Sequence, residues 1–159
     1  MPKTKLKVGD SAPQFSLPDQ DGHIHDLNEA KGSWILLYFY PKDLTPGCTV
    51  EACGIRDVYA DFRKMKTVIF GISTDKVASH RKFADKHTLP FTLLADEEKK
   101  VVAAYGVWGK KKFMGREYMG TNRWSFLIGP DGRIRKIYEA VKPALHAQEV
   151  LNDLRALSA

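Results

Sequence analysis

The sequence predicts an α/β fold with a mixed central sheet flanked by helices and a small hairpin extension at the N-terminus. Apolar runs alternate with helical patterns in the first two thirds of the chain, which is typical of βαβ units with parallel strands. Later the pattern changes to two strands around a Gly-Pro-Asp-Gly turn, which favours an antiparallel hairpin. A length of 159 residues fits one domain with a sizeable core.

The strands are predicted from short apolar runs and the turns that end them. FSLPDQDGHIHDL predicts the N-terminal hairpin, which turns at Asp21-Gly22. SWILLYFYP (33–41) is nearly continuous in apolar residues and ends at a proline, as expected of a central strand covered on both faces. TVIFGIS (67–73) follows the same pattern, and FTLLAD (91–96) is a third, shorter strand candidate.

The helices are predicted between and after these strands. The first has one buried face, formed by Val50, Val58, Phe62 and Met65. The second covers 76–87, with Thr74 or Asp75 as its cap. After the hairpin at 123–139, an amphipathic helix that begins at Pro143 ends the chain. Together these elements predict a thioredoxin-like fold with an N-terminal extension.

Composition and charge exclude several classes of function. No apolar run approaches the roughly 20 residues that cross a bilayer, and the N-terminus lacks the apolar segment of a secretory signal, so a cytoplasmic location is predicted. The formal charge of +6 raises the question of nucleic acid. The basic residues are widely spread, however, and the densest group, Lys110, Lys111, Lys112 and Arg116, is predicted to be a solvated loop.

Both cysteines of the chain lie in one stretch, YPKDLTPGCTVEACGIRD (40–57). Thr45 followed by Pro46 is typical of a helix start, which places Cys48 in the first helical turn. Unpaired backbone amides and the positive end of the helix dipole favour an anion there, so the thiolate form of Cys48 is stabilised. A small buried cysteine that packs the strand–helix junction is the alternative.

The spacing of Cys53 from Cys48 argues for a redox function. In an unbroken helix their Cα atoms are separated by about 8.7 Å, whereas a disulfide requires less than about 7 Å. Either the thiols never meet, or the first turns of the helix unwind before they do. Gly47 and Gly54 each make unwinding easier by roughly 1 kcal/mol.

Two other uses of the cysteines remain open at this point. A metal site would combine them with His23 and His25, although zinc normally uses more closely spaced cysteine pairs. A dithiol exchanger would use Cys-x-x-Cys rather than the spacing found here. A thioredoxin-fold protein that binds a metal or nucleic acid without catalysis is therefore the alternative to an enzyme.

The stretch YFYPKDLTPGCTVEACGIRD resembles the active-site signature of the peroxiredoxins, specifically the bacterioferritin-comigratory (peroxiredoxin Q) type. The family pattern Pro-x3-Thr-x2-Cys falls on Pro41, Thr45 and Cys48. The resemblance extends to VGDSAPQFSLPDQDG, VIFGIST and GVWGKKKFMGREYMGTNRWSFLIGPDG. It implies a single thioredoxin-like domain of the AhpC/TSA type across 1–159.

The resemblance implies a role for each matching residue. Cys48 would be the peroxidatic cysteine, and Cys53 would be the resolving cysteine that closes an intramolecular disulfide. Thr45 would offer its hydroxyl to the thiolate and the peroxide, and Pro41 would shield the sulfur from water. Arg123, on the family's second-strand arginine, would help to hold the thiolate and the peroxide oxygens.

The resemblance also implies partners. The substrates would be hydrogen peroxide and alkyl hydroperoxides, thioredoxin or a similar dithiol would be the reductant, and no cofactor or metal would be needed. Nucleic acid and membranes are not expected as partners, and the chain would be a monomer or a weak dimer. Arg56 is predicted to be a helix-surface charge. Trp124 and Gly129 depart from the family pattern, and Trp124 is expected to reshape the pocket rim.

Overall fold

The computed structural model describes residues 5–139 and 141–158. Its central sheet has five strands, which are β3 (Trp34–Phe39), β4 (Thr67–Ser73), β5 (Thr92–Ala95), β8 (Ser125–Ile128) and β9 (Ile134–Tyr138). Their order across the sheet is β5-β4-β3-β8-β9. The pairs β3–β4 and β4–β5 are parallel, whereas β3–β8 and β8–β9 are antiparallel. The predicted mixed sheet is therefore confirmed.

Two small antiparallel hairpins and several helices complete the described part of the chain. The hairpins join β1 (Ser16–Pro18) to β2 (Ile24–Asp26), as predicted, and β6 (Trp108–Phe113) to β7 (Arg116–Thr121). The helices are α1 (Pro46–Asp57), α2 (Tyr59–Lys64), α3 (Val77–His87), α4 (Lys100–Ala104), α5 (His146–Ser158) and a 3-10 helix (Leu27–Ala30). In the described residues, no helix is both long enough and apolar enough to span a bilayer.

The central strand β3 separates two hydrophobic clusters because side chains of a strand alternate between the faces of the sheet. Trp34, Leu36 and Tyr38 point into the cluster that contains Cys48 and residues of α1, α3 and α5. Their neighbours Ile35, Leu37 and Phe39 point into the other cluster, with residues of the N-terminal hairpin and α4. Every residue of β3 is buried, which explains why its sequence is apolar without alternation.

The first predicted helix is wrong in two respects. The chain forms α1 and α2 with a break at Val58, rather than one continuous helix. Val50 is 47% exposed, whereas the buried positions of α1 include Cys48 and Glu51. The prediction failed because it looked for apolar side chains, and the inward face of α1 carries a thiol and a carboxyl group. Phe62 is buried as expected.

The predicted helix starts also need correction. Helix α3 is capped at Lys76, not Thr74 or Asp75, because the Asp75 carboxylate instead accepts hydrogen bonds from the Asp43 amide and the Ser73 hydroxyl. Helix α5 begins at His146, and a turn precedes it where Pro143 was expected to start the helix.

The predicted basic loop is a hairpin. Lys110 and Lys112 are exposed, as a solvated segment requires, but Lys111 is half-buried and donates to the carbonyl oxygen of Thr121 at 3.0 Å. Met114 and Gly115 form the tip with φ of 51° and 80°, the left-handed pair that suits a two-residue hairpin turn. The strands β6 and β7 were not predicted, because the consecutive lysines of β6 hide the alternation of apolar and polar residues that is expected of a strand.

Candidate active site

Helix α1 begins as the sequence predicts. Thr45 is its N-cap in extended conformation, Pro46 is the first helical residue, and Cys48 lies in the first turn. The Thr45 hydroxyl accepts no capping hydrogen bond from the helix, and it donates to the carbonyl oxygen of Lys42 at 2.7 Å. The side chain of Cys48 is 1% exposed, so its sulfur lies at the positive end of the helix and out of bulk water.

Arg123, from the segment before β8, contacts Cys48 at the start of α1. Its Nη2 donates to the Cys48 sulfur at 3.4 Å, and its Nη1 donates to Oε1 of Glu51 at 2.8 Å. Arg123 lies just before β8 rather than inside the strand, which corrects the predicted hairpin boundary. Burial alone would lower the pKa of Arg123, but the charges of Cys48 and Glu51 raise it, so the guanidinium stays charged.

Gly47 makes room for this guanidinium. A Cβ atom at Gly47 would stand 2.9 Å from Nη2 of Arg123, which is closer than real Cβ contacts. Any larger residue would therefore push the arginine away from Cys48. Sequence reasoning gave Gly47 only a role in loosening the helix, since the long-range approach of Arg123 leaves no local signal.

Glu51 is the site residue that the sequence reading missed. Its side chain is fully buried, and its Oε2 has no hydrogen-bond partner in the part of the chain that the structure describes. Burial raises the pKa of Glu51 to about 7, although the charge and hydrogen bond of Arg123 act in the opposite direction. The i, i+3 spacing from Cys48, which puts both on one helix face, was the available signal.

Tyr38 closes the site from the sheet. Burial raises its pKa well above the ordinary value, and the nearby charges of Glu51 and Cys48 add to this effect, so the phenol keeps its proton. Its ring crosses β4 at Gly71, where a Cβ atom would stand 2.7 Å from the phenol oxygen. The site is thus formed by α1, the segment before β8 and one face of β3.

Replacing Glu51 by glutamine is expected to change how stability depends on pH. The unfolded carboxyl titrates near 4.5 and the folded one near 7, so between these values only the folded state holds the proton. The free energy of unfolding therefore falls as pH rises from about 4.5 to about 7, by up to about 3 kcal/mol. Glu51→Gln removes this loss and keeps an acceptor for Arg123.

Chemical denaturation at pH 5 and pH 8 measures this effect. Other titrating groups are common to both proteins, so the difference between variant and wild type isolates Glu51. We expect the variant to gain stability relative to the wild type on going to pH 8. Identical differences at the two pH values would show that Glu51 titrates normally.

Cys53 lies on the same helix as Cys48, half-buried, and both cysteines are free thiols. Helix α1 is continuous from 46 to 57, so the two thiols occupy the helical arrangement in which a disulfide is out of reach. Arg56 donates to the carbonyl oxygen of His87 at 2.7 Å and to Asp57. The bond to His87 connects the C-terminal end of α1 to the end of α3. Arg56 follows Gly54 in the helix, whereas Cys48 precedes it.

Three other predicted positions, Pro41, Trp124 and Gly129, make no contact that assigns them a role at Cys48 in the described residues. Pro41 is half-buried in the loop between β3 and α1, and its shielding of the sulfur stays a prediction. Trp124 packs against the cluster on the opposite face of the sheet from Cys48, so its expected effect on the pocket rim is not supported. Gly129 lies in the β8–β9 turn, as expected.

The geometry disfavours a metal site at the cysteines. Within residues 5–139 and 141–158, the only group of three side chains close enough to hold a metal ion is Asp43, Asp75 and His80. His25 instead bonds to Asp19 and Glu29 through its two ring nitrogens. The cysteines and the two N-terminal histidines thus do not form a ligand set.

A cysteine held at a helix N-terminus by an arginine, in a mixed sheet flanked by helices, defines a thiol-based oxidoreductase of thioredoxin-like fold. More particularly, the chain belongs to the AhpC/TSA family, whose model matches residues 8–137. This confirms the resemblance drawn from the sequence.

Relatives of known class support the same assignment. The chain is 50% identical to Peroxiredoxin Bcp of Escherichia coli over 150 residues, covering 94% of this chain and 96% of that protein. It is 45% identical to Peroxiredoxin Bcp of Bacillus subtilis over 153 residues, covering 96% of this chain and 98% of the relative. These similarities support thiol peroxidase activity.

Solved structures agree in fold. A crystal structure of a cysteine-to-serine mutant of Xylella fastidiosa PrxQ matches with a TM-score of 0.93 at 31% identity, covering 99% of this chain and 100% of that chain. The bacterioferritin comigratory protein of Xanthomonas campestris, studied for its alkyl peroxide reduction activity, matches with a TM-score of 0.89 at 32% identity and the same coverage. The predicted thioredoxin-like fold is confirmed.

Proposed function

We propose that this chain reduces hydrogen peroxide and organic hydroperoxides through Cys48, closes a disulfide with Cys53, and is recycled by thioredoxin or a similar dithiol. The observation that carries the proposal is the 3.4 Å contact of Arg123 Nη2 with the Cys48 sulfur at the start of α1. The amide groups of the helix start and the guanidinium both favour the thiolate, which is the nucleophilic form.

In the first step the thiolate attacks the terminal oxygen of the peroxide. The S–O bond forms as the O–O bond breaks, giving the sulfenic acid of Cys48 and, after the leaving oxygen takes a proton, water or an alcohol. Negative charge moves onto the leaving oxygen. Donors that already point into the site stabilise this charge, and each is worth about 2.7–4 kcal/mol in comparable sites.

Arg123 and Thr45 are the proposed donors. The guanidinium is permanently charged, and Glu51 fixes its direction through the 2.8 Å bond to Nη1, which leaves Nη2 for the sulfur and peroxide. The single hydroxyl proton of Thr45 is committed to Lys42 in the resting site, so it rotates toward the peroxide on binding. Pro41 excludes water from the loop side, and no cofactor takes part.

In the second step the sulfenic acid condenses with the Cys53 thiol, forming the disulfide and releasing water. The helical arrangement keeps the sulfurs apart, so the turns between Pro46 and Gly54 unwind first. Arg56 holds the rest of α1 on α3 through the His87 carbonyl group during this change. The dithiol reductant then returns both cysteines to thiols and the helix reforms.

Stopped-flow mixing of the reduced protein with hydrogen peroxide tests the proposal, with thiols titrated before and after. We expect rapid consumption of one peroxide per chain and loss of two thiols. A second run with an alkyl hydroperoxide tests the wider substrate class. Slow oxidation at the rate of a free thiol would refute the proposal.

Replacing Gly47 by alanine is expected to strengthen the helix and slow the chemistry. The new methyl group displaces the guanidinium of Arg123, since a Cβ atom would stand 2.9 Å from Nη2. Losing one oriented donor lowers the rate of Cys48 oxidation by roughly a hundredfold. Stopped-flow oxidation of the variant measures this loss.

Gly54→Ala is the matched control, because a Cβ atom at Gly54 meets nothing within 4 Å. It should leave the oxidation rate unchanged, but it should slow disulfide closure about fivefold, since the helix gains about 1 kcal/mol. If both variants oxidise at the wild-type rate, the close approach of Arg123 does not matter for the reaction.

A further inference from the structure

A buried polar network lies behind the loop that leads into α1. Asp43, in this loop, is 4% exposed, and its Oδ1 accepts a hydrogen bond from the Tyr40 hydroxyl at 2.6 Å. Its Oδ2 accepts from the Ser79 hydroxyl at 2.8 Å and lies 2.7 Å from Nδ1 of His80. One carboxylate thus connects the end of β3, the loop and the first turn of α3.

His80 has an oxygen at both ring nitrogens. Its Nε2 donates to the carbonyl oxygen of Leu94, an acceptor only, at 2.9 Å. Its Nδ1 faces Asp43 and, at 3.4 Å, the Tyr40 oxygen, whose own proton is directed at Asp43. When Asp43 is ionised, both ring nitrogens face acceptors and both must carry a proton, so the hydrogen-bond pattern then indicates an imidazolium.

The neighbouring charges favour the same form. Asp75 accepts from the amide of Asp43 at 2.9 Å, and its carboxylate lies within 4.8 Å of the Asp43 and His80 ligand atoms. With a neutral imidazole and both carboxyl groups ionised, the cluster would hold two negative charges and no positive charge. Burying unpaired charge is strongly unfavourable, and the imidazolium compensates one of them.

The network fixes a strained loop. Leu44, directly after Asp43, has a φ of 63°, a left-handed conformation that is sterically unfavourable for a branched side chain. Thr45, two residues after Asp43, follows as the N-cap of α1. Because strained conformations persist only where the surroundings hold them, the anchors of Asp43 explain how the chain turns here.

We propose that Asp43 and His80 form a buried ion pair that positions the active-site loop for peroxide reduction. The inference rests on the proposed function and names positioning residues outside the reacting site. The ion pair holds Asp43 and thereby fixes the position of the turn at Leu44. The position of this loop in turn sets the direction of the Thr45 hydroxyl and of the Pro41 ring toward the peroxide. A shift of about 1 Å in such groups costs up to about a hundredfold in rate.

His80→Gln and Asp43→Asn test the pair, with His23→Gln as control because His23 is an exposed histidine outside the network. We expect the oxidation of Cys48 by hydrogen peroxide to slow by about tenfold to a hundredfold in the first two variants. Alkylation of Cys48 by iodoacetamide should not slow, because that reaction needs neither the donor Thr45 nor the shielding by Pro41. The control should match wild type in both reactions.

Equal slowing of oxidation and alkylation would indicate general damage to the fold and overturn the proposal, as would unchanged oxidation. Ser79→Ala, which removes only one hydroxyl from Asp43, gives a milder variant if the others do not fold. It should slow oxidation in the same direction without affecting alkylation, and an unchanged oxidation rate in this variant would count against the pair.

Nitrogen-15 NMR of the reduced wild-type protein tests the charge itself. We expect two ring N–H signals from His80 at pH 7.5, both absent in His80→Gln. A single ring N–H would overturn the ion pair, and one-to-one zinc binding that Asp43→Asn abolishes would assign the cluster to a metal instead. Because this readout does not depend on peroxide, a wild-type protein that fails to consume peroxide would reject the proposed function separately.

Discussion

Cys48→Ser is expected to abolish peroxide consumption, with the rate falling by a thousandfold or more, on the order seen when a catalytic nucleophile is removed. A serine hydroxyl stays protonated at the start of α1, so no anion is available to attack the O–O bond. The change removes one sulfur from a site that is already buried. Stopped-flow consumption of hydrogen peroxide, at a protein excess, measures the loss.

Cys53→Ser is the matched control for this experiment, since it makes the same substitution five residues along the same helix. It should complete the first oxidation at the wild-type rate. If Cys48→Ser still consumes peroxide rapidly in the first oxidation while Cys53→Ser does not, the roles of the two cysteines are reversed.

Cys53→Ser is expected to stop recycling rather than oxidation. Without the second thiol the sulfenic acid of Cys48 has no partner in the chain, so it persists or proceeds to the sulfinic acid. Steady-state turnover with thioredoxin and its reductase should fall by about a hundredfold or more, in line with the loss of a covalent step. Mass spectrometry should show one added oxygen on Cys48 after one equivalent of peroxide and two after an excess, since each oxidation step consumes one peroxide.

Val50→Ser provides a matched control for position on α1, since Val50 is 47% exposed. It should recycle normally. An ordinary thioredoxin-linked rate in Cys53→Ser would show that the reductant attacks the sulfenic acid directly, and the disulfide step would then be unnecessary.

Elements whose signal is local could be predicted from the sequence. The strand β3 is buried on both faces, so its apolar run marks it directly, and the same applies to β4. Thr45-Pro46 marks the start of α1 through capping chemistry alone. The approach of Arg123 to Cys48 came from the family resemblance, and the geometry agrees with it.

Features that depend on distant partners could not be predicted in this way. Glu51 resembles an ordinary helix-surface residue until Arg123 is placed beside it. From the sequence, Asp75 resembles a helix cap. In the structure its carboxylate accepts a hydrogen bond from the Asp43 amide instead, so the start of α3 was predicted at the wrong residue. His80 looks like any polar residue of an amphipathic helix, although its side chain is completely buried.

Helix α1 holds Cys48 at its positive end beside Arg123. We propose that the same helix also has an unwound state, in which Cys53 reaches the oxidised sulfur. The anchor at Arg56 predicts where the unwinding stops, because its bond to the His87 carbonyl group lies beyond Cys53 and Gly54.

Hydrogen exchange of residues 46–55, compared between the reduced and the disulfide forms, tests this claim most directly. Within this segment the account predicts strong protection of the amides from Thr49 onward in the reduced protein, because Thr49 is the first to donate along the helix, and loss of that protection in the disulfide form. The amides of α5 (His146–Ser158) should exchange equally in both forms. Peroxide-treated Cys53→Ser should keep its protection, since no disulfide forms. Equal protection of residues 46–55 in the reduced and disulfide forms of the wild type would contradict the account.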